Sequence, residues 1–459
     1  SFDWSPDGRE IAFDFSQSSD PSFGVTTNIS VVDTETATVR PLVTQEGPDN
    51  NPRYSPDGQQ IAFATAMLEV SSFYYKNGKI AVIPAKGGGI TALSISFDED
   101  PQLVAWNRTG IFLAASVKTE AGLFKLDPAA KTVSRVNLGH PIASGFSFND
   151  NGTSVAFVGS SATAYPEVFA GTTGGSARKM SDLGSQVASM TLGTSEVVSW
   201  KSSDGAIIEG VLRKPAGWKP GSPAPLLVII HGGPTGVSRP SLFGATYVYP
   251  VESWLAKGAL ILEPNYRGSA GYGEAFRSLN VRNLGIGDAW DVNTGIDSLV
   301  AKGLVDKMKV GVMGWSQGGY ISAFLTTHDS TRFRAVSVGA GISNWVTYYV
   351  STDIHPFTRQ YLKANPWDDP EIYRKTSPMT YIKGAKAPTL IQHGDMDLRV
   401  PVSNALELYQ GLRDQGVTTR LALYKGFGHG LNKPKAVRHA LQENLDWFDT
   451  HLFGTTTAK

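Results

Sequence analysis

Hydrophobic and polar positions over the first 160 or so residues follow a recurring unit rather than one continuous period. An aromatic residue precedes a polar turn, and a short apolar alternation follows it. Trp4-Ser5-Pro6-Asp7-Gly8 leads into Ile11-Ala12-Phe13, and Tyr54-Ser55-Pro56-Asp57-Gly58 leads into Ile61-Ala62-Phe63. Weaker copies run from Trp106 through Gly110 to Leu113-Ala114-Ala115, and from Phe148 through Gly152 to Val155-Ala156-Phe157. The four starts lie 50, 52 and 42 residues apart. In such a turn Pro presets a dihedral, Asp bonds its own backbone, and Gly takes the positive φ. Short alternating strands repeating every 40–50 residues or so predict propeller blades. About four blades are expected, over residues 1–192.

Near residue 190 the pattern changes. Apolar stretches at 196–200 and 207–212 flank Lys201-Ser202-Ser203-Asp204-Gly205 as a hairpin, and the Pro- and Gly-rich stretch 214–223 breaks any regular element. Leu226-Leu227-Val228-Ile229-Ile230 is a continuous apolar run, as a parallel strand buried on both faces requires. Strands at 259–262, 310–313, 388–391 and 419–423 then alternate with helical segments such as 286–300. The last helix is expected from 434 to 451, with Val437, Leu441 and Leu445 on one face. That alternation predicts a doubly wound, mostly parallel α/β domain over residues 193–459.

The candidate chemistry sits at the ends of these strands. Gly314-Trp315-Ser316-Gln317-Gly318 is Gly-x-Ser-x-Gly between an apolar strand and a helix-compatible run, the corner on which a serine nucleophile is held. His393-Gly394-Asp395-Met396-Asp397-Leu398-Arg399-Val400-Pro401 follows a later strand, and Gly426-Phe427-Gly428-His429-Gly430 follows the next. Serine, acid, histidine, each just after a strand, is the chain order of an α/β-hydrolase triad. Ser316 needs a base because a serine hydroxyl is a poor nucleophile at neutral pH, and His429 is the candidate. The acid is Asp397 or Asp395. The oxyanion hole is expected from the backbone N–H of Gln317 and one from the turn His231-Gly232-Gly233-Pro234, at Gly233.

These segments, with Asn265-Tyr266-Arg267-Gly268-Ser269, resemble the prolyl oligopeptidase family of serine peptidases, in its acylaminoacyl-peptidase-like branch. The resemblance covers nearly all of the hydrolase half. It implies a β-propeller preceding an α/β-hydrolase domain, and favours Asp397 over Asp395 through the pattern His-Gly-x-x-Asp-x-Arg-Val-Pro. It also implies that Trp345 and Tyr348 wall an apolar pocket for the residue before the cut, and that Arg399 meets a substrate carbonyl or carboxylate or pairs within its own loop. One departure is visible: Gln317 stands where the family usually has Tyr, and the backbone N–H survives that exchange. The family carries seven or eight blades, so the propeller is expected to be incomplete on its N-terminal side, with preceding residues, a second chain or a homo-oligomer covering the first blade.

Composition narrows the reading. The 41 basic and 41 acidic residues cancel, which gives no electrostatic reason for a nucleic-acid partner, and no apolar run reaches the roughly 18 residues of a membrane span. Absent cysteine excludes disulfides, thiol catalysis and cysteine-ligated metals; no cofactor or metal is expected. Ser1-Phe2-Asp3-Trp4 begins inside the repeat pattern, without the basic and apolar regions of a signal peptide. The compartment stays open, with a lean toward export from the Ser, Thr and Gly richness of the first half. The leading expectation is hydrolysis of short peptides, with the propeller excluding folded proteins. The alternatives are a carboxylic-ester hydrolase on the same triad, or a non-catalytic propeller protein with a relic hydrolase.

Overall fold

A computed structural model describes residues 1–16, 18, 26–244 and 247–455. The chain divides into two compact units, Ser1–Ala188 with Ala270–Ala275, and Ser189–Ser269 with Phe276–Lys459. The division expected at 192/193 therefore falls at 188/189, and residues 270–275 cluster with the first unit.

The first unit is built of four antiparallel four-stranded groups spanning residues 2–43, 49–92, 102–135 and 142–179. The last two are joined by a single parallel bridge, Ala121 to Ile142. The turns work as their residues dictate. Ser5 Oγ donates to Asp7 Oδ1 at 2.7 Å and accepts the Glu10 N–H at 2.9 Å, while Gly8 takes φ +73. Ser55, Asp57, Gln60 and Gly58 repeat this arrangement. In the fourth copy, Asn149 Oδ1 accepts the Ser154 N–H and Asn151 Oδ1 accepts the Thr153 N–H, so Asn supplies what Ser and Asp supply in the first two. Alternation along each inner strand then sends side chains to both faces. Ile61 and Phe63 pack with Ile29 and Val31 of the first blade, and Ala62 packs with Ile111 and Leu113 of the third. Phe112 and Leu123 pack with Val155 and Phe157 of the fourth. Each pair of successive blades thus shares an apolar layer, as a propeller requires.

The second unit is an eight-stranded sheet. Numbered within the unit, its strands are β1 (Thr194–Lys201), β2 (Ile207–Lys214), β3 (Ala224–Ile230), β4 (Leu260–Asn265), β5 (Val305–Trp315), β6 (Ala335–Gly339), β7 (Thr389–Gly394) and β8 (Thr419–Tyr424). They lie in the order β1-β2-β4-β3-β5-β6-β7-β8. β2 runs antiparallel to β1 and β4; β3 to β8 are parallel, with β4 beside β3. This is the α/β-hydrolase sheet, and its carboxyl ends gather the loops that follow β3, β5, β7 and β8.

Helices cover the sheet. One core joins Leu227, Ile229, Ile261 and Met313 of the strands to Trp254, Ala440, Trp447 and Phe448 of the helices Val251–Ala256 and Pro434–Phe448. The last helix buries Ala440, Asn444, Trp447 and Phe448, whereas Val437, Leu441 and Leu445 are only half-buried. The expected face was displaced because two aromatics and the Asn444 amide reach the sheet. Asn444 Oδ1 accepts the Ser337 hydroxyl at 2.6 Å, and its Nδ2 donates to the Val248 carbonyl at 2.8 Å. The α-helix ends at Phe448 and gives way to a π-turn over Asp449–Phe453.

Candidate active site

Ser316 occupies the turn between β5 and the helix Gln317–His328 with φ 62 and ψ −121, a left-handed conformation that a Cβ-bearing residue adopts only under constraint. The constraint is close packing. A Cβ on Gly314 would lie 2.4 Å from the Gly318 carbonyl carbon, and one on Gly318 would lie 2.0 Å from the Ile230 carbonyl oxygen. Only glycine lets β3, β5 and the helix meet this tightly. Ser316 Oγ then lies 2.8 Å from His429 Nε2, and His429 Nδ1 lies 2.8 Å from Asp397 Oδ2. Both ring nitrogens are committed in one line from hydroxyl to carboxylate.

Asp397 is 4% exposed. Burial alone would raise its carboxyl, yet hydrogen bonds from His393 and His429, the charge of His429 and the Val400 N–H outweigh that burial and hold it well below the usual carboxylate range. It is therefore ionised wherever the imidazole needs a partner. Asp395 has a different place: its Oδ1 accepts the Gly426 N–H at 2.6 Å and makes no bond to His429.

The turn after β3 comes up beside the nucleophile. A Cβ on Gly232 would stand 3.3 Å from Ser316 Cβ, and Gly233 adopts φ +128. As the first residue of its helix, Gln317 carries a backbone N–H that the helix leaves free. Its side chain is buried, with Nε2 unpartnered. Tyr266 supports the turn twice: its hydroxyl donates to the His231 carbonyl at 2.9 Å, and its ring stacks on the His231 imidazole at 4.5 Å. His231 keeps a little surface, but its imidazole lies deep in the protein, and that desolvation pushes it down to about 4, so the ring is neutral. Below lies Arg267, 1% exposed, which forms charge-assisted bonds to Asp291 at 2.8 Å and to Asp204 at 2.8 Å. The segment 265–269 thus supports the turn through Tyr266 and through Ser269, whose hydroxyl lies 3.0 Å from His231 Nε2.

Trp345 and Tyr348 lie on the helix Trp345–Ser351. Both are essentially fully buried, at 0% and 2% exposure. The Trp345 ring packs edge-on against Tyr320 and Tyr348, and its Nε1 donates to the Thr376 carbonyl at 3.1 Å. Their rings pack within the interior of the second unit. Arg399 Nε donates to Asp353 Oδ1 at 2.8 Å in an exposed pair, so this partner lies outside its own loop, between the helices Trp345–Ser351 and His355–Leu362.

Two positioning residues were not expected from sequence. Trp315 Nε1 donates to the His429 carbonyl at 2.8 Å, tying the histidine loop to the residue before the nucleophile. Tyr247 stands edge-on to Trp315 and exchanges hydrogen bonds with the Leu431 backbone. Nothing in the local pattern marks either one.

With this geometry in place, a family model described as "Prolyl oligopeptidase family" matches residues 247–455. Over those residues the chain is similar to the prolyl oligopeptidase family. An uncharacterized peptidase, YuxL, of Bacillus subtilis is 30% identical over 267 residues, covering 57% of this chain and 40% of its own length. Acylamino-acid-releasing enzyme 1 of Oryza sativa subsp. japonica is 32% identical over 245 residues, 51% of this chain and 31% of the relative. The chain thus spans well under half the length of these curated relatives. The solved acylaminoacyl peptidase of Pyrococcus horikoshii aligns over all of this chain and 71% of its own, with a TM-score of 0.84 at 23% identity, a likeness of fold. The prolyl oligopeptidase match begins after the turn 231–234 and includes Ser316, Asp397 and His429.

Proposed function

We propose that the protein is a serine peptidase that hydrolyses short peptides through an acyl-enzyme. The observation that carries this reading is the unbroken line from Ser316 Oγ through His429 to Asp397. Ser316 Oγ attacks the scissile carbonyl as His429 Nε2 takes its proton. Asp397 holds the imidazole with Nδ1–H facing it and stabilises the imidazolium that forms. The oxyanion is received by the backbone N–H groups of Gln317 and Gly233. His429 gives the proton to the leaving amine; water then repeats the sequence on the ester and releases the acid. The name of the Oryza relative directs attention to peptides whose first residue is acylated.

The test pairs labelling with turnover. The protein should react with a fluorophosphonate at Ser316 and cleave short peptide amides, and Ser316→Ala should abolish labelling and lower kcat/KM by roughly 10⁴-fold while remaining folded. Rates on N-acetyl and free-amine versions of one peptide decide between acylaminoacyl and aminopeptidase action. Labelling of the Ser316→Ala variant would refute the reading.

A further inference from the structure

A second histidine touches the acid. His393, next to last in β7, is fully buried. Its Nε2 lies 2.7 Å from the Val400 carbonyl oxygen and 3.4 Å from Asp397 Oδ2. Both atoms are acceptors, so Nε2 must carry the hydrogen and share it between them. Nδ1 is buried with no partner, which fixes the tautomer from the other side. Asp397 is then fully subscribed. Oδ1 accepts the Arg399 and Val400 N–H groups, each at 2.9 Å, and Oδ2 receives His429 Nδ1–H at 2.8 Å while sharing His393 Nε2–H.

We propose that His393 is a positioning residue of the relay: its Nε2–H closes the turn 397–400 and tempers the basicity of Asp397 Oδ2 toward His429. The inference rests on the serine-peptidase reading. The closing contact, to Val400, is the shorter and directs the carboxylate. The longer one places a positive hydrogen against the same oxygen that faces the base. Removing it concentrates the negative charge of Oδ2 on His429 Nδ1–H and strengthens imidazolium formation. Other charged groups near the relay are engaged elsewhere. Asp395 accepts the Gly426 N–H, Arg399 pairs with Asp353, and on the elbow side the Ser316 hydroxyl faces the ring.

The experiment is a pH profile of kcat/KM for the full chain and two variants. His393→Leu removes the donor, and its acid limb should move to higher pH by about half a unit or more, with kcat reduced. His393→Gln carries an amide N–H in the place of Nε2, and its limb should stay within about 0.2 units of the parent. A limb that His393→Leu leaves in place, or that both variants move equally, overturns the proposal. ¹⁵N-histidine spectra of the unsubstituted protein decide the matter even if the leucine variant does not fold. They should show His393 protonated on Nε2 and bare on Nδ1; the opposite tautomer overturns it. Failure of the peptidase reading would look different, because fluorophosphonate would then not label Ser316 in the parent.

Discussion

At the scale of single residues, the two aspartates of the loop after β7 have separable tasks. Asp397 orients the base; Asp395 holds the histidine loop through the Gly426 N–H. Asp397→Asn should therefore lower kcat by about 10³–10⁴-fold, because an amide N–H facing Nδ1 selects the wrong imidazole tautomer. Asp395→Asn should lower it by less than about tenfold, through loosening of one exposed contact. Steady-state kinetics on a peptide amide would reveal an inverted order if the roles are exchanged. Tyr266→Phe removes the hydrogen bond to the His231 carbonyl, worth about 1 kcal/mol net. It should reduce kcat several-fold with little change in KM if the turn it supports receives the oxyanion, as proposed, rather than the ground-state peptide.

At the scale of elements, the elbow depends on missing side chains. Gly318→Ala would press a methyl onto the Ile230 carbonyl, 2.0 Å away, and neither β3 nor the helix has room to retreat. The expected result is a melting temperature lowered by several degrees and loss of most activity. Gly89→Ala, where a Cβ meets nothing within 4 Å, should leave both unchanged. Equal effects of the two substitutions would show that the close approach is not what holds Ser316. Sequence made the elbow, the order of the triad loops and the blade turns readable, because each follows from local chemistry: glycine conformation, turn side chains, strand alternation. What it hid depends on which face a side chain presents. The depth of the aromatic pair is one case: Trp345 packs edge-on against Tyr320 and Tyr348 against Trp345, which local pattern does not disclose. The last helix reads as a Val437–Leu441–Leu445 stripe until Trp447 and Phe448 set the contact with the sheet. His393 reads as a loop residue until its Nε2 is seen against Asp397.

At the scale of the whole molecule, three carboxyls raised by burial make stability fall as pH rises, against the opposing effect of the buried His231 imidazole below about pH 6.5. Burial, with the negative charge of Asp291 nearby, pushes Asp288 up to about 7. Burial likewise raises Glu99 to about 7 and Asp49 to about 6. In the unfolded chain such groups titrate near about 4, so between those values the folded state binds protons that the unfolded state releases. Their contribution is fully present below about pH 4 and is lost as pH rises through 6 to 7. Thermal melts from pH 5 to 8 should therefore show a decline, and Asp288→Asn, which keeps an acceptor for the Ala289 N–H, should flatten part of it. An undiminished slope in the variant would remove Asp288 from the account. The balance of 41 basic and 41 acidic residues also gives little long-range steering. Rates on uncharged peptides should vary less than about twofold between 20 and 500 mM salt.

The loops that carry acid and base lie back to back. Where Gly394 leaves β7, a Cβ would stand 2.2 Å from the Gly428 carbonyl and 2.4 Å from that of Phe427. The Met396 N–H bonds Phe427 and the Asp395 N–H bonds Tyr424. Neither loop can change length without carrying the other. A single residue inserted between Asp395 and Asp397, or between Gly426 and His429, would silence the relay with every one of its side chains still present. In a descendant of this chain, inactivity would then be written in spacing rather than in composition, and a search for a lost serine, aspartate or histidine would miss it.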